Sequence, residues 1–349
     1  MSDLQVHAGA YTLSCNNIRI QKEIESIRVI QEICVPTMFE VTIPIESIED
    51  PWWAVTLNEL KPGDEIKIGI GRGRAKPLVT GHITMIWPEL NSELGGQSKV
   101  TIAGFDSMVR LRFGARTRTF VNQTDHSIVA EVAHDAGLAV RTSGSPGDPY
   151  PYVLQNNESD YDFLCRRCAQ LNYELMVEGK ALVFRPSQQG LGPTKTLLYH
   201  RDFESASLKL SVPRRGSTVA AFGYDVSTGE AVLANANSPT SREKMGGEKA
   251  GYDISSNFPQ SAITFERPDL ISSRAIERFV DSQYPRGIST FIEGAVKVSP
   301  GDATLVAGVS VKLTGLGGRF DGPYYIYKST HTYNDGSYDT EVEVGRSGI

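Results

Sequence analysis

The residues best equipped for chemistry in this chain are Cys165 and Cys168, which form a Cys-Arg-Arg-Cys run. A C-x-x-C pair is a redox couple or half of a zinc site. Neither use fits the surroundings. Tyr161, Leu164, Cys165, Cys168 and Leu171 recur at helical spacing, so both thiols fall in the apolar stripe of a predicted helix. A thioredoxin-type pair sits where a strand runs into a helix, and a four-thiol zinc site would have to recruit Cys15 and Cys34 from a remote part of the chain. The expectation is four structural thiols.

The six histidines, at 7, 82, 126, 134, 200 and 331, show no metal-ligand spacing. His126 and His134 lie on one predicted helix but over two turns apart, and all six are expected at surface or cap positions. The chain carries neither a G-x-S-x-G nucleophile elbow nor a G-x-x-x-x-G-K-[ST] phosphate loop. Asp160 and Asp162 suggest a paired acid and base, yet residues two apart on a helix diverge, and the simpler role is favourable charge at a helix N-terminus. The glycines from Gly69 to Gly73 suit a hairpin tip better than a dinucleotide loop. Arg110, Arg112, Arg116 and Arg118 form the densest basic cluster, open to solvation or to acidic residues of another subunit. The expected inventory is therefore no catalytic residue, no cofactor-binding residue and no metal ligand. The protein reads as a non-enzyme.

The bulk properties bound the fold. With 349 residues, 40% hydrophobic and 22% charged, the chain is long enough for two or three cored domains and far from disordered composition. Its 33 glycines, 18 prolines and 14 tyrosines, set among short Val, Ile and Thr runs, favour many strands joined by tight turns. A net charge of -6 with scattered signs argues against nucleic acid and anionic membranes as partners. The N-terminus has no signal-peptide pattern and no stretch is apolar enough to span a bilayer, so synthesis in the cytoplasm is expected, and four cysteines fit a reducing compartment.

Period-two patterning over residues 1–115 predicts a first β-barrel domain. Residues 116–190 read as a small α+β domain with helices after Thr124 and Ser159, each residue able to cap its helix, and Gly137 able to stop the first. Residues 191–349 return to strands as a second β-barrel, interrupted by a long polar loop near 235–261 and a helix near 268–281 opened by Pro268. The predicted fold class is mainly β with an α+β insert, two related barrels flanking the small middle domain. Relatedness rests on an echo: Pro62-Gly63-Asp64, Gly81 and Gly104 are matched by Pro300-Gly301-Asp302, Gly322 and Gly345 at nearly the same spacing. Trp52, Trp53 and Trp87 lie in or beside strands and are expected in cores rather than as sugar platforms.

Three stretches carry a family resemblance. The segment Arg116 to Thr124 leading into Ile128 to Leu138, the run Gln155-Asn-Asn-Glu-Ser-Asp-Tyr-Asp-Phe-Leu164 continuing to Tyr173 and Phe184, and Phe320 to Ile326 with His331 and Gly336 to Val342 ending at Arg346 resemble the VgrG and phage late control protein D family. The resemblance implies a structural baseplate hub of a contractile injection system or phage tail, a homotrimer joining the hexameric inner tube protein to a trimeric spike and contacting baseplate wedge proteins. It implies incorporation into a tail-like particle without membrane insertion or nucleic-acid specificity. A trimer offering two similar barrels per subunit meets a sixfold tube by symmetry matching. The sequence ends at Ile349 without the oligonucleotide-binding-like domain and β-helical needle of fused members, so a separate spike protein is expected. The alternatives are a hub of a non-contractile phage tail and a tail-borne or secreted carbohydrate-active β protein.

Overall fold

A computed structural model describes the chain except residues 1–8, 21–22, 46–59, 92–96, 213–217, 226–227, 237–243, 246, 255–261 and 268–269. Trp52, Trp53, His7 and Pro268 lie outside the described residues. The fold is mainly β, with large antiparallel sheets and few helices.

The first unit comprises β1 (Gly9–Cys15), β2 (Ile18–Arg19), β3 (Ser26–Glu32), β4 (Val35–Ile45), β5 (Glu65–Arg72), β6 (Lys76–Glu89) and β7 (Ser98–Asp106), hydrogen-bonded in the order β3-β4-β7-β6-β5-β1-β2. Alternation drives it: Ile27 and Val29, Phe39, Val41 and Ile43, and Ile66, Ile68 and Ile70 all turn into one core, while the intervening residues face outward. Burying side chains of this size contributes about 1.5–3 kcal/mol each, which is the main force curling the sheet round its core. Gly69 and Gly71 lie inside β5, paired to β1, so the turn to β6 is made at Gly73, with φ +63°.

The middle unit holds β8 (Arg116–Gln123), α1 (Asp125–Asp135), β9 (Ala139–Thr142), β10 (Tyr150–Glu158), α2 (Asp160–Leu171), β11 (Tyr173–Glu178) and β12 (Ala181–Pro186). The capping chemistry is as the sequence predicts. Thr124 accepts from Ser127 N, Ser159 accepts from Asp162 N, and Gly137 takes φ +68° after α1. Met108 and Leu111, on a 3-10 helix preceding residue 116, are buried in this unit's core with Ile128, Val132, Phe163 and Leu164.

The last unit has β13 (Lys195–Leu198), β14 (Ser205–Leu210), β15 (Thr218–Asp225), β16 (Glu230–Ala236), β17 (Ala262–Glu266), α3 (Ser273–Ile288), β18 (Ile292–Val298), β19 (Ser310–Thr314), β20 (Gly322–Asn334) and β21 (Ser337–Arg346). Six of its strands run in the order β14-β18-β21-β20-β19-β13. The strand order is that of β3-β4-β7-β6-β5-β1, so the two barrel units are topologically related, with one difference: β13 runs parallel to β19 whereas β1 runs antiparallel to β5. β3 hydrogen-bonds to β20 from Glu32 opposite Lys328 to Ser26 opposite Asn334, and the two units join into one 13-stranded sheet.

Three expectations for the last unit need correction. β15, β16 and β17 do not join the barrel; they form a separate three-stranded sheet against α3. That subunit is inserted between β14 and β18, where the first unit has only the two-residue turn Ile33-Cys34. The polar region near 235–261 is not wholly loop, since β16 runs to Ala236 and a short helix covers Gly251–Ile254. The helix expected near 268–281 runs Ser273–Ile288, because Ser272 supplies the cap by accepting from Ala275 N and because Tyr284 and Ile288 carry the buried stripe past residue 281. Pro285 stands in its last turns without ending it.

Candidate assembly interface

The repeated topology extends to individual hydrogen bonds. In the first unit Gly63 N donates to Ile83 O at 2.8 Å and Ile83 N donates to Asp64 O at 3.0 Å. In the last, Gly308 N donates to Ile326 O and Ile326 N to Val309 O, both at 2.9 Å. Each strand then breaks register at once, between Ile83 and Met85 in β6 and between Ile326 and Lys328 in β20. A bulge at the same step of two strands is a designed bend. Ile83 and Ile326 are therefore structural counterparts, and so are the segments that follow them.

The counterparts differ in what covers them. Beyond its bulge, β20 pairs with β21 on one edge and with β3 on the other. Beyond its bulge, β6 pairs with β7, and its other edge has no strand partner among the described residues. That stretch carries three exposed apolar side chains: Met85 at 45%, Trp87 at 52% and Leu90 at 60% exposure. The counterpart of β3 is β14, which pairs with β18 on one edge and has no strand partner on the other among the described residues. Ala206, Leu208 and Leu210 alternate on β14 and are only partly buried. An unpaired edge with apolar side chains is a template for another chain. Trp87 is thus a surface residue and not the core aromatic expected.

The basic cluster finds its partners within the chain. Arg118 Nη2 lies 2.7 Å from Asp160 Oδ1 and Arg118 Nη1 lies 2.6 Å from Asp135, while Arg116 reaches the same two carboxylates at 3.6 and 3.3 Å. Gln155 closes this network by donating to Asp160 at 2.9 Å and accepting from Arg118 at 2.8 Å. Arg116 and Arg118 pair within the chain, and Asp160 is a buried acceptor rather than only a helix-terminal charge. Asp162 stays at the cap. Arg110 donates to His82 Nε2 at 3.1 Å and to Gly137 O at 3.4 Å, and Arg112 lies over the Tyr161 ring.

A buried histidine and a partly buried cysteine were missed from sequence. His331 is fully buried, with Nδ1 at 2.8 Å from Tyr338 OH and Nε2 at 3.0 Å from Ser329 Oγ, and burial lowers its pKa to about 4. It is a core hydrogen-bonding residue and not the surface histidine expected; its alternation with Ser329 and Tyr333 on β20 was the available signal. His126 also packs inward against Phe184 and Tyr173, whereas His134 is exposed. Cys34 is the second. The turn between β3 and β4 carries it to α2, where Cys165 Sγ donates to Cys34 O at 3.6 Å, and to β11, where Leu175 N donates to Cys34 Sγ at 3.4 Å. Cys15 stays in the first core. Among the described residues no group of three or more His, Cys, Asp or Glu could hold a metal ion, and no helix is long and apolar enough to cross a membrane.

Among solved structures the chain is similar to the prophage MuSo2 43 kDa tail protein from Shewanella oneidensis, with a TM-score of 0.71 and 15% identity over 97% of this chain and 98% of that one. It is similar to the tail protein from Neisseria meningitidis MC58, with a TM-score of 0.70 and 13% identity over 98% of each chain. It is also similar to the E. coli c3393 protein, a component of the type VI secretion system with structural similarity to T4 bacteriophage tail proteins gp27 and gp5, with a TM-score of 0.62 and 12% identity over 96% of this chain and 77% of that one. At these identities the likeness is one of fold. No curated protein matches the sequence. The family model that matches is described as Alg8 N-terminal domain, and because the match runs from residue 10 to residue 335, the chain belongs to that family.

Proposed function

We propose that this protein is a structural baseplate hub of a phage tail or contractile injection system and not an enzyme, a homotrimer in which β14 of each copy pairs, in the next, with the edge of β6 that has no strand partner among the described residues. The observation that carries this reading is the seam inside the chain, where β3 hydrogen-bonds to β20. β14 is the counterpart of β3, and β6 is the counterpart of β20. Repeating the internal seam between copies extends the sheet head to tail, and a head-to-tail contact generates a ring when its rotation closes. Three copies give six barrel units, a number that suits a sixfold tube on one face and a threefold spike on the other. Tail proteins and a type VI secretion component having this fold support the same setting.

The register of the internal seam sets Leu210 opposite Ile86, Leu208 opposite Pro88 and Ala206 opposite the exposed Leu90 on one face, and Trp87 opposite Lys209 on the other. Pro88 supplies no N–H to that edge, and the side-chain contact carries correspondingly more of the binding. The inner tube protein, a separate spike and baseplate wedge proteins are the partners this reading implies. The VgrG and late control protein D resemblance of the middle unit agrees with it.

The test is an absolute mass in solution. Each chain is 38.2 kDa, so a closed trimer weighs about 115 kDa. Leu90→Glu and Leu208→Lys, each on one edge, should both yield folded monomers, and Phe222→Lys on the inserted sheet should leave the trimer intact. A wild-type protein that stays monomeric at high concentration would sink the reading. Hydrolysis of peptidoglycan or polysaccharide abolished by one carboxylate substitution would do so for the non-enzymatic part.

A further inference from the structure

A cavity of about 610 Å³ opens between the loop that leads into β10 and the start of α3, where the middle unit meets the inserted sheet. Pro149, Tyr150 and Pro151 line it from one side and Ile271 and Ala275 from the other, so most of its wall is apolar. Four charged side chains also line it, and three of them already have partners. Asp225 accepts from Ser273 N at 3.1 Å and from Ser273 Oγ at 2.7 Å, and Arg274 lies 2.7 Å from Asp148. Arg278 is the fourth. Among the described residues it pairs with no carboxylate, and the hydrogen bond it donates, from Nη1 to Tyr150 OH, is long at 3.5 Å. Gly147 makes room for this guanidinium: a Cβ there would stand 1.9 Å from Arg278 Nη1, and the residue takes φ +69°, so glycine meets both demands.

We propose that this cavity binds a peptide segment of a partner protein in which an apolar side chain lies beside a carboxylate. The side chain fills the space between Pro149, Pro151 and Ile271, and the carboxylate pairs with Arg278. Charge complementarity selects this ligand. A guanidinium without a carboxylate partner, set in an apolar wall, favours a negative group carried on an apolar body, because either part alone leaves half of the site unused. The planar fork of arginine also matches a carboxylate, which it can hold through two parallel hydrogen bonds.

The adjoining surface makes the ligand a peptide and not a free acid. Tyr152 lies two residues beyond Tyr150 on the same face of β10 and is 47% exposed, with Val121 of β8 opposite it at 57%. This apolar pair extends the site away from Tyr150 and gives the residues that flank the anchored one a surface to lie on. The site belongs to a single chain, so it stands or falls independently of the trimer.

Fluorescence polarisation on the full chain tests it, with a labelled tetrapeptide of serine, two tyrosines and a terminal leucine bearing a free carboxylate. The amidated form should bind about tenfold more weakly, and Arg278→Gln should lower binding of the acid to the level of the amide while leaving the amide unchanged. Arg274→Gln should keep the preference for the acid. N-acetylleucine, too short to reach Tyr152, should compete about tenfold more weakly than the peptide. An amidated peptide with glutamate before the leucine separates the two sources of the carboxylate: tighter binding than the free acid assigns a side chain, and weaker binding assigns a chain terminus. Equal affinity for acid and amide, a preference lost in Arg274→Gln but kept in Arg278→Gln, or N-acetylleucine competing as well as the peptide would overturn the assignment. The comparison of acid with amide on the wild-type protein carries the test even where a variant fails to fold.

Discussion

The guanidinium of Arg167 on α2 lies 2.6 Å from the carboxylate of Asp125 in the first turn of α1, with both side chains sealed from solvent. Tyr150 OH donates to the other carboxylate oxygen at 2.8 Å, and Arg167 donates a further bond to Gln170 at 2.7 Å. The pair locks the two helices of the middle unit to each other and to β10. Charges buried this deeply are tolerable only because each finds partners.

Removing one partner strands the other. Arg167→Met should destabilise the protein by about 3–5 kcal/mol, since it leaves a buried carboxylate facing a phenol alone. Adding Asp125→Leu should recover a large part of that loss, because an apolar pair replaces an ion pair. Thermal melts of the two single variants and the double variant measure the coupling.

His331 makes stability depend on acidity. Burial lowers its folded pKa to about 4, below the unfolded value of about 6.5. Its contribution is fully present above pH 6.5 and is lost as the pH falls from there toward 4, because the unfolded chain takes up a proton that the folded chain refuses. The loss across that window is about 3 kcal/mol. The difference in Tm between wild type and His331→Gln should therefore narrow as the pH drops from 7 to 4. A pH-independent difference would refute the assignment.

Two glycines give an internal contrast. A Cβ on Gly104 would stand 2.0 Å from His82 O and 2.6 Å from the Phe39 ring, so Gly104→Ala forces β6 and β7 apart and should cost about 1–3 kcal/mol. Gly192 has open space at its Cβ position, and Gly192→Ala should be neutral or slightly stabilising. Urea midpoints of both variants check the pair.

Tyr325 on β20 donates a hydrogen bond to Glu174 on β11, a carboxylate that also holds Arg185 at 3.2 Å and accepts from Gln188 N at 3.0 Å. Tyr325→Phe should cost about 1–2 kcal/mol, since Glu174 keeps its other partners. Glu174→Leu should cost more, because it leaves the buried Tyr325 hydroxyl without its acceptor and Arg185 with only Gly308 O and the exposed Glu178. Hydrogen exchange at β11 and β20 should quicken in both, reporting a looser joint between the middle unit and the last barrel.

The local code of this protein was legible in its residues. Alternation of Ile, Val and Phe marks the strands of the first unit, Thr124 and Ser159 mark helix starts, and Gly137 marks a stop, because periodicity and capping are interactions between residues a few positions apart. Repetition of the two barrels was also legible, although the residues that suggested it were partly misleading. Gly63 corresponds in hydrogen bonding to Gly308 and not to Gly301, whose N–H instead donates to Tyr338 O. The echo came from turn residues common to any β protein.

What the sequence could not supply were relationships across the chain. Cys34 meets Cys165, Arg118 meets Asp160, and β3 meets β20 only after the whole sheet has curled and the middle unit has docked against it. The same holds for exposure: Trp87 reads as a core aromatic by type and becomes a surface residue because its neighbour Ile86 takes the core-facing position on β6 and Trp87 faces the other side. Residue type and spacing determine which element forms, since that energy is local. Which side chains share an interior, and which edge is left for a partner, is decided by packing at long range.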